Sequence, residues 1–195
     1  MNLVEIDDTI PVAYQNQIHA ELTSNRMAWF FQEESGRRVS NIETTYSGFS
    51  HTVFHINDAS VAPSPMTALL LPLLFVFCEK AMIPFNTLLR IRIGLFPRTM
   101  IDVPHHNPHV DFYQAHQNAL YYVNDSDGDT VLFNETYEDV GKEESVAYTR
   151  EGKFTVARRI SPKKGRMIGF DGRHYHASMH PMTHASRIAI AFSFL

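Results

Sequence analysis

A single cysteine, Cys78, stands among the 195 residues of the chain. One thiol excludes an intramolecular disulfide and any thiolate cluster for a metal. Its place inside an apolar run makes it a buried, inert thiol. Long hydrophobic runs are also lacking. The most apolar stretch, Ala68 to Phe77, is interrupted by Pro72 and falls short of the roughly 20 residues that span a bilayer. The opening residues, Met1-Asn2-Leu3-Val4-Glu5-Ile6-Asp7-Asp8, are acidic and contain no apolar core of a secretion signal. The expectation is a soluble, cytoplasmic protein with no membrane contact. The glycosylation sequons at Asn124 and Asn134 then have no compartment in which to act.

Positive charge is scarce too. The net charge is −4, and the basic residues are dispersed except for the pairs Arg37-Arg38, Arg158-Arg159 and Lys163-Lys164. No cationic stripe suited to a phosphate backbone emerges, so nucleic acid is disfavoured as a partner. With 44% hydrophobic and 19% charged residues, the chain can bury a substantial core as one domain over residues 1–195.

What is abundant is histidine. There are 11, and eight of them follow position 100, grouped around 105–116 and 174–184. Imidazole is the commonest metal ligand, so two separated groups suggest a site that folding closes.

Thr9 and Pro11, followed by Tyr14, Ile18 and Leu22, predict an amphipathic helix. A second helix is expected from Ser64-Pro65 to about Ala81, apolar nearly all round and therefore packed against a sheet. Residues 32–50 read as a loop or a pair of edge strands. From Leu88 the period changes to two: Leu89-Arg90-Ile91-Arg92-Ile93 alternates strictly. Further strands are expected at 109–113, 119–123, 130–134, 154–160, 166–170 and 188–194. The run Asn124 to Asp129 reads as a hairpin turn, too short for a calcium loop. Helices followed by short strands without intervening helices argue an α+β fold around an antiparallel jelly roll of the cupin type.

The chemistry concentrates in Pro108-His109-Val110-Asp111. On extended backbone, positions i and i+2 share a face, so one imidazole and one carboxylate can reach a single ion. Tyr175-His176-Ala177 offers a second imidazole. Two histidines and a carboxylate on one face of an octahedron leave open positions, the arrangement of O2-activating Fe(II) enzymes. In the last strand Arg187, Ala189, Ala191 and Ser193 share one face, and Ile188, Ile190, Phe192 and Phe194 the other. A small-residue face headed by an arginine suits a cavity wall that holds a carboxylate. The alternative is a small face packed on another strand.

With these segments in view, the chain resembles the iron(II)/2-oxoglutarate-dependent oxygenase superfamily, in its prolyl-hydroxylase-like branch. The likeness spans about Leu88 to Leu195. It rests on Pro108-His109-Val110-Asp111, Leu120-Tyr121-Tyr122-Val123-Asn124, Asp127-Gly128-Asp129-Thr130-Val131, and Phe170 through His176 with Arg187 beyond. The resemblance implies a double-stranded β-helix core from about residue 86, supported by helices before it. It implies His109, Asp111 and His176 as iron ligands, and Arg187 with Tyr122 as the grip on the far carboxylate of 2-oxoglutarate. Arginine stands here where many protein-hydroxylating members carry lysine. The implied activity is hydroxylation of an organic substrate, either a peptidyl residue such as proline or a small metabolite. O2 is consumed, succinate and CO2 are formed, and ascorbate is an additional cofactor to consider. The rival reading is a non-catalytic cupin-like module that binds a metal or ligand.

His174, two before His176, competes with it as a ligand. His105 and His106 are expected at the rim or behind the ligands, and His116, His180 and His184 at the surface. Arg90 and Arg92 could reach the cavity from a neighbouring strand, though an exposed strand face is the default expectation, and Trp29 is expected in the core. Residues 32–50 and 135–157 are candidate substrate lids.

Overall fold

The computed structural model describes residues 2–33, 47–61, 64–100 and 105–195. Among these described residues, ten strands form two antiparallel sheets. The larger sheet takes β1 (Leu3–Ile6), β2 (Phe30–Gln32), β3 (Gly48–His55), β4 (Leu88–Pro97), β5 (Gln117–Tyr122), β8 (Met167–Asp171) and β10 (Ser186–Phe194). They lie in the order β1-β8-β5-β10-β4-β3-β2. The smaller sheet sets β6 (Thr130–Thr136) between β7 (Val156–Ile160) and β9 (His174–Ser178). Helices α1 (Val12–Leu22) and α2 (Met66–Ala81) cover the outer face of the large sheet. This is the expected jelly-roll core with helical support.

Alternation in β10 and β4 decides the layering. Ile188, Ile190, Phe192 and Phe194 join Ile91 and Ile93 in a buried cluster with Leu70, Leu73, Leu74 and Phe77 of α2. Their neighbours in sequence, Ala189, Ala191, Arg90 and Arg92, turn to the other face and line a cavity. Each fully buried Leu, Ile or Phe contributes about 1.5–3 kcal/mol, so this one-sided pattern pins the register of both strands. A smaller cluster of Tyr122, Leu132, Ile160, Ile168, Phe170 and Ala189 fills the space between the sheets. Among the described residues no helix is long and apolar enough to cross a membrane.

The helix α2 ends at Met82, whose backbone is left-handed with φ 54°. Its start is tied by Ser64, whose hydroxyl accepts the Met66 amide at 3.3 Å. Trp29 is half-buried against the main cluster. Three departures from the sequence reading stand out. The N-terminal half is not purely helical, since β1, β2 and β3 all join the large sheet. The segment 135–157 holds a helix, α3 (Glu144–Arg150), anchored by Tyr148 and Phe154 against Tyr175. The segment 109–113 is no regular strand: His109 makes an isolated bridge to His176. Of the candidate lid at 32–50, residues 34–46 lie outside the described residues.

Gly169 in β8 shows how closely helix and sheet approach. A Cβ added there would sit 2.8 Å from the Phe77 ring. The substitution Gly169→Ala is therefore expected to destabilise the fold by about 1–3 kcal/mol through overpacking. Thermal unfolding should show a lower midpoint, and Phe77→Leu in the same chain should recover part of it. No change in midpoint would contradict this packing.

Candidate metal centre and its cavity

His109 and His176 are locked together by their backbones. The His109 amide donates to the His176 carbonyl at 3.0 Å, and the His176 amide returns a bond to His109 at 2.9 Å. The two rings lie 4.6 Å apart between centroids. Asp111, two residues on, turns its carboxylate to the same point, 3.8 Å from His176 Nε2. One donor atom from each of the three lies within 4.8 Å of the others.

The rings are also oriented. His109 Nδ1 faces the Asn107 carbonyl at 3.2 Å, and His176 Nδ1 faces the His174 carbonyl at 3.3 Å. A carbonyl there favours the Nδ1–H tautomer and leaves Nε2 as the free lone pair. Burial pushes the His176 imidazole down to about 4, with the nearby His109 adding to the effect. Burial lowers His109 in the same way. Both rings are thus neutral at pH 7, as a ligand must be. Burial alone would raise Asp111, but Arg90 and the two histidines outweigh it and hold the carboxyl far below its usual range. Arg90 Nη2 bonds Asp111 Oδ1 directly. Ser193 Oγ stands 3.4 Å from Oδ2 and donates to Asn118 Oδ1 at 2.9 Å.

From this point a cavity runs between the sheets to Arg187. That side chain is 2% exposed. Its Nε donates to the Gly128 carbonyl at 2.8 Å and its Nη2 to Thr130 Oγ1 at 2.8 Å. No carboxylate forms an ion pair with it among the described residues. The walls between are small or apolar: Ala119, Leu120, Phe170, Ala189 and Ala191. A buried guanidinium without a counter-charge is costly, and the cavity opens directly before it. On the other side of His109 and Asp111 a second, more open pocket begins, walled by Ser50, Thr52, Arg92 and Lys142.

The expected residues fall unevenly. His109, Asp111, His176 and Arg187 share the cavity. Tyr122 does not line it: the hydroxyl, raised to about 12 by burial, donates to Thr130 Oγ1 at 2.8 Å. Thr130 itself faces the cavity, and the only sequence signal for it is that it opens a strand directly after a turn. His174 stands outside the three-residue group and faces the Phe133 carbonyl at 3.1 Å. His106 lines the cavity, while His105 leans on the Phe133 ring. His116 and His180 are buried rather than at the surface, at 4% and 9% exposure. His116 rests on Gly172, where any Cβ would collide with its ring, and His180 packs on Phe96 and His106. His184 is exposed and bonds Asp127 at 2.9 Å. Arg90 and Arg92 point into the cavity, not to solvent. The small sheet and the 105–112 segment cover what would otherwise be a bare strand face.

No protein-family model and no curated protein sequence matches the chain. Solved structures do. The non-haem alpha-ketoglutarate-dependent epimerase SnoN of nogalamycin biosynthesis is 12% identical over 99% of this chain and 78% of its own, with a TM-score of 0.67. A Pseudomonas putida prolyl-4-hydroxylase is 13% identical over 98% of this chain and 91% of its own, with a TM-score of 0.57. A Trichoplax adhaerens prolyl hydroxylase, solved with a peptide of hypoxia-inducible factor, is 13% identical over 99% of this chain and 83% of its own, also at 0.57. The fold is that of the 2-oxoglutarate/Fe(II) oxygenases. SnoN has also been solved with Fe3+ and alpha-ketoglutarate. The oxygenase fold here carries a His-Asp-His group that can hold a metal.

Ligand identity is open to a direct test with Co(II), whose visible spectrum reports its coordination. Loss of groups that merely orient a ligand costs about 10–100-fold in metal affinity. Removing a ligand should cost more, so His176→Ala is expected to weaken Co(II) by over 100-fold. His174→Ala should leave both affinity and spectrum nearly unchanged. The reverse outcome would exchange the two residues.

Proposed function

We propose that this protein is an Fe(II)- and 2-oxoglutarate-dependent dioxygenase that hydroxylates an organic substrate, with the whole chain as one catalytic domain. The observation that carries the reading is a single cavity with two ends. At one end stand His109, Asp111 and His176, and at the other a buried arginine lacking a carboxylate partner. A cupin-like module that only held a metal would have no use for that arginine. The solved oxygenases that share the fold support the same choice.

His109, Asp111 and His176 would hold the iron, which supplies O2 activation driven by the oxidative decarboxylation of 2-oxoglutarate to succinate and CO2. Arg187 and Thr130 would grip the far carboxylate, with Tyr122 fixing the Thr130 hydroxyl from behind. The aliphatic walls keep water away from the reacting end, and Arg90 holds Asp111 in its ionised form and in position. The outer pocket, opening on the same three residues, would receive the substrate. The neighbours include a prolyl hydroxylase solved with a peptide and an epimerase solved with nogalamycin RO. Peptidyl and small-molecule substrates are both compatible with this fold.

The experiment loads the protein anaerobically with Fe(II) and 2-oxoglutarate and looks for the lilac charge-transfer band. Air is then admitted and succinate measured. Both signals are expected, and His109→Ala should abolish both. Arg187→Ala removes charge-assisted bonds worth about 1.5–3 kcal/mol, so 2-oxoglutarate should bind roughly 10–100-fold more weakly. Absence of band and succinate in the parent would favour the binding module.

A further inference from the structure

The three arginines of the cavity are not equivalent. Arg90 is neutralised by Asp111, and Arg187 is held by Gly128 and Thr130 at the inner end. Arg92 has neither. Among the described residues it makes no hydrogen bond, ion pair or aromatic contact, although it is largely withdrawn from solvent and faces both the inner cavity and the outer pocket. Its strand neighbours offer nothing anionic: Thr52 lies opposite it on β3 and Ala191 on β10. The acids nearby are already engaged. Asp111 pairs with Arg90, and Asp58, at the rim, takes the amide and hydroxyl of Ser60. Lys142 adds a further cation, and Ser50 and Thr52 line the same wall.

A withdrawn guanidinium without a partner is destabilising, and a neighbouring like charge adds to the cost. Burial and the Arg90 charge work against the protonated form, and the charge of Asp111, which Arg90 already binds, offsets them only in part. A planar fork with free donors is the side chain best matched to a carboxylate. On the oxygenase reading the far carboxylate of 2-oxoglutarate belongs to Arg187, at the opposite end. The walls that accompany Arg92 outward, Ser50, Thr52 and Lys142, line the outer pocket and not the inner cavity.

We propose that Arg92 is a specificity-determining residue that binds the carboxylate of a small carboxylic-acid substrate in the outer pocket, beside the His109–Asp111–His176 centre. The inference rests on the oxygenase reading for which pocket is the substrate's, but not for the chemistry of Arg92.

The test uses the full chain loaded with Mn(II), with and without saturating 2-oxoglutarate. By calorimetry it is titrated with free amino acids, 2-hydroxy acids and short dicarboxylic acids, and with the corresponding amides. At least one acid is expected to bind, and its amide at least about tenfold more weakly, as loss of a charge-assisted bond implies. Arg92→Gln should erase that difference, Arg92→Lys should restore part of it, and both should bind 2-oxoglutarate within about twofold of the parent. Arg92→Gln should also unfold no lower than the parent, because it relieves an unpaired charge. Equal binding of acid and amide overturns the proposal, as does failure of every acid while an amidated peptide binds, or tighter binding of inorganic phosphate than of any carboxylate. Tenfold loss of 2-oxoglutarate affinity in Arg92→Gln would instead assign Arg92 to the cosubstrate. Failure of the parent to bind 2-oxoglutarate counts against the oxygenase reading alone, since acid and amide can still be compared on the Mn(II) protein.

Discussion

The reciprocal backbone bonds between His109 and His176 hold the centre of this molecule together. They tie the 109–113 segment, which forms no regular strand, to β9 at the edge of the small sheet. That single bridge brings a carboxylate two residues away onto the same point as both imidazoles. It also draws the 105–112 segment over the large sheet, so that residues of β4 and β10 which would otherwise meet water become the walls of a cavity.

Charge in that cavity is unbalanced by construction. One buried carboxylate, Asp111, faces Arg90, while among the described residues no acid forms an ion pair with Arg187 or Arg92. Low dielectric surroundings magnify such an imbalance, and the fold tolerates it because the helix side of the sheet is densely packed with apolar side chains. Cations separated in this way, one deep and one toward the mouth, suit a site that takes more than one anionic group at once. Neutral imidazoles between them keep a metal position available at ordinary pH.

Much of this was legible in the chain, and the illegible parts share a cause. Strict alternation in β4 and β10 announced a half-buried sheet because one face packs on helices and the other on small residues. The spacing of His109 and Asp111 announced a shared face, since extended backbone alternates whether or not it is paired along its length. By contrast β3 was hidden: its register shifts between Thr52 and Phe54, which breaks the period of two, and Ser50 and Thr52 face a pocket rather than the core. β1 is four residues long with an acid inside it, too short to carry a pattern. Surface positions for His116 and His180, and an exposed face as the default for Arg90 and Arg92, are what the sequence predicts, because polar residues usually face solvent. For Arg90, His116 and His180 burial follows from long-range contacts, with Asp111, Gly172, Phe96 and His106, that no local pattern encodes. The sequence points to Tyr122 rather than Thr130 for a related reason: the tyrosine reaches toward the cavity, but the smaller residue stands between.

The sharpest single check is a crystal structure of the Mn(II) protein with 2-oxoglutarate, phased so that the metal is located by its own anomalous signal. The metal is expected on His109, Asp111 and His176, with the far carboxylate of the cosubstrate against Arg187 and Thr130. A metal held by other residues, or a cosubstrate that leaves Arg187 untouched, would contradict the two-ended cavity on which the functional reading stands.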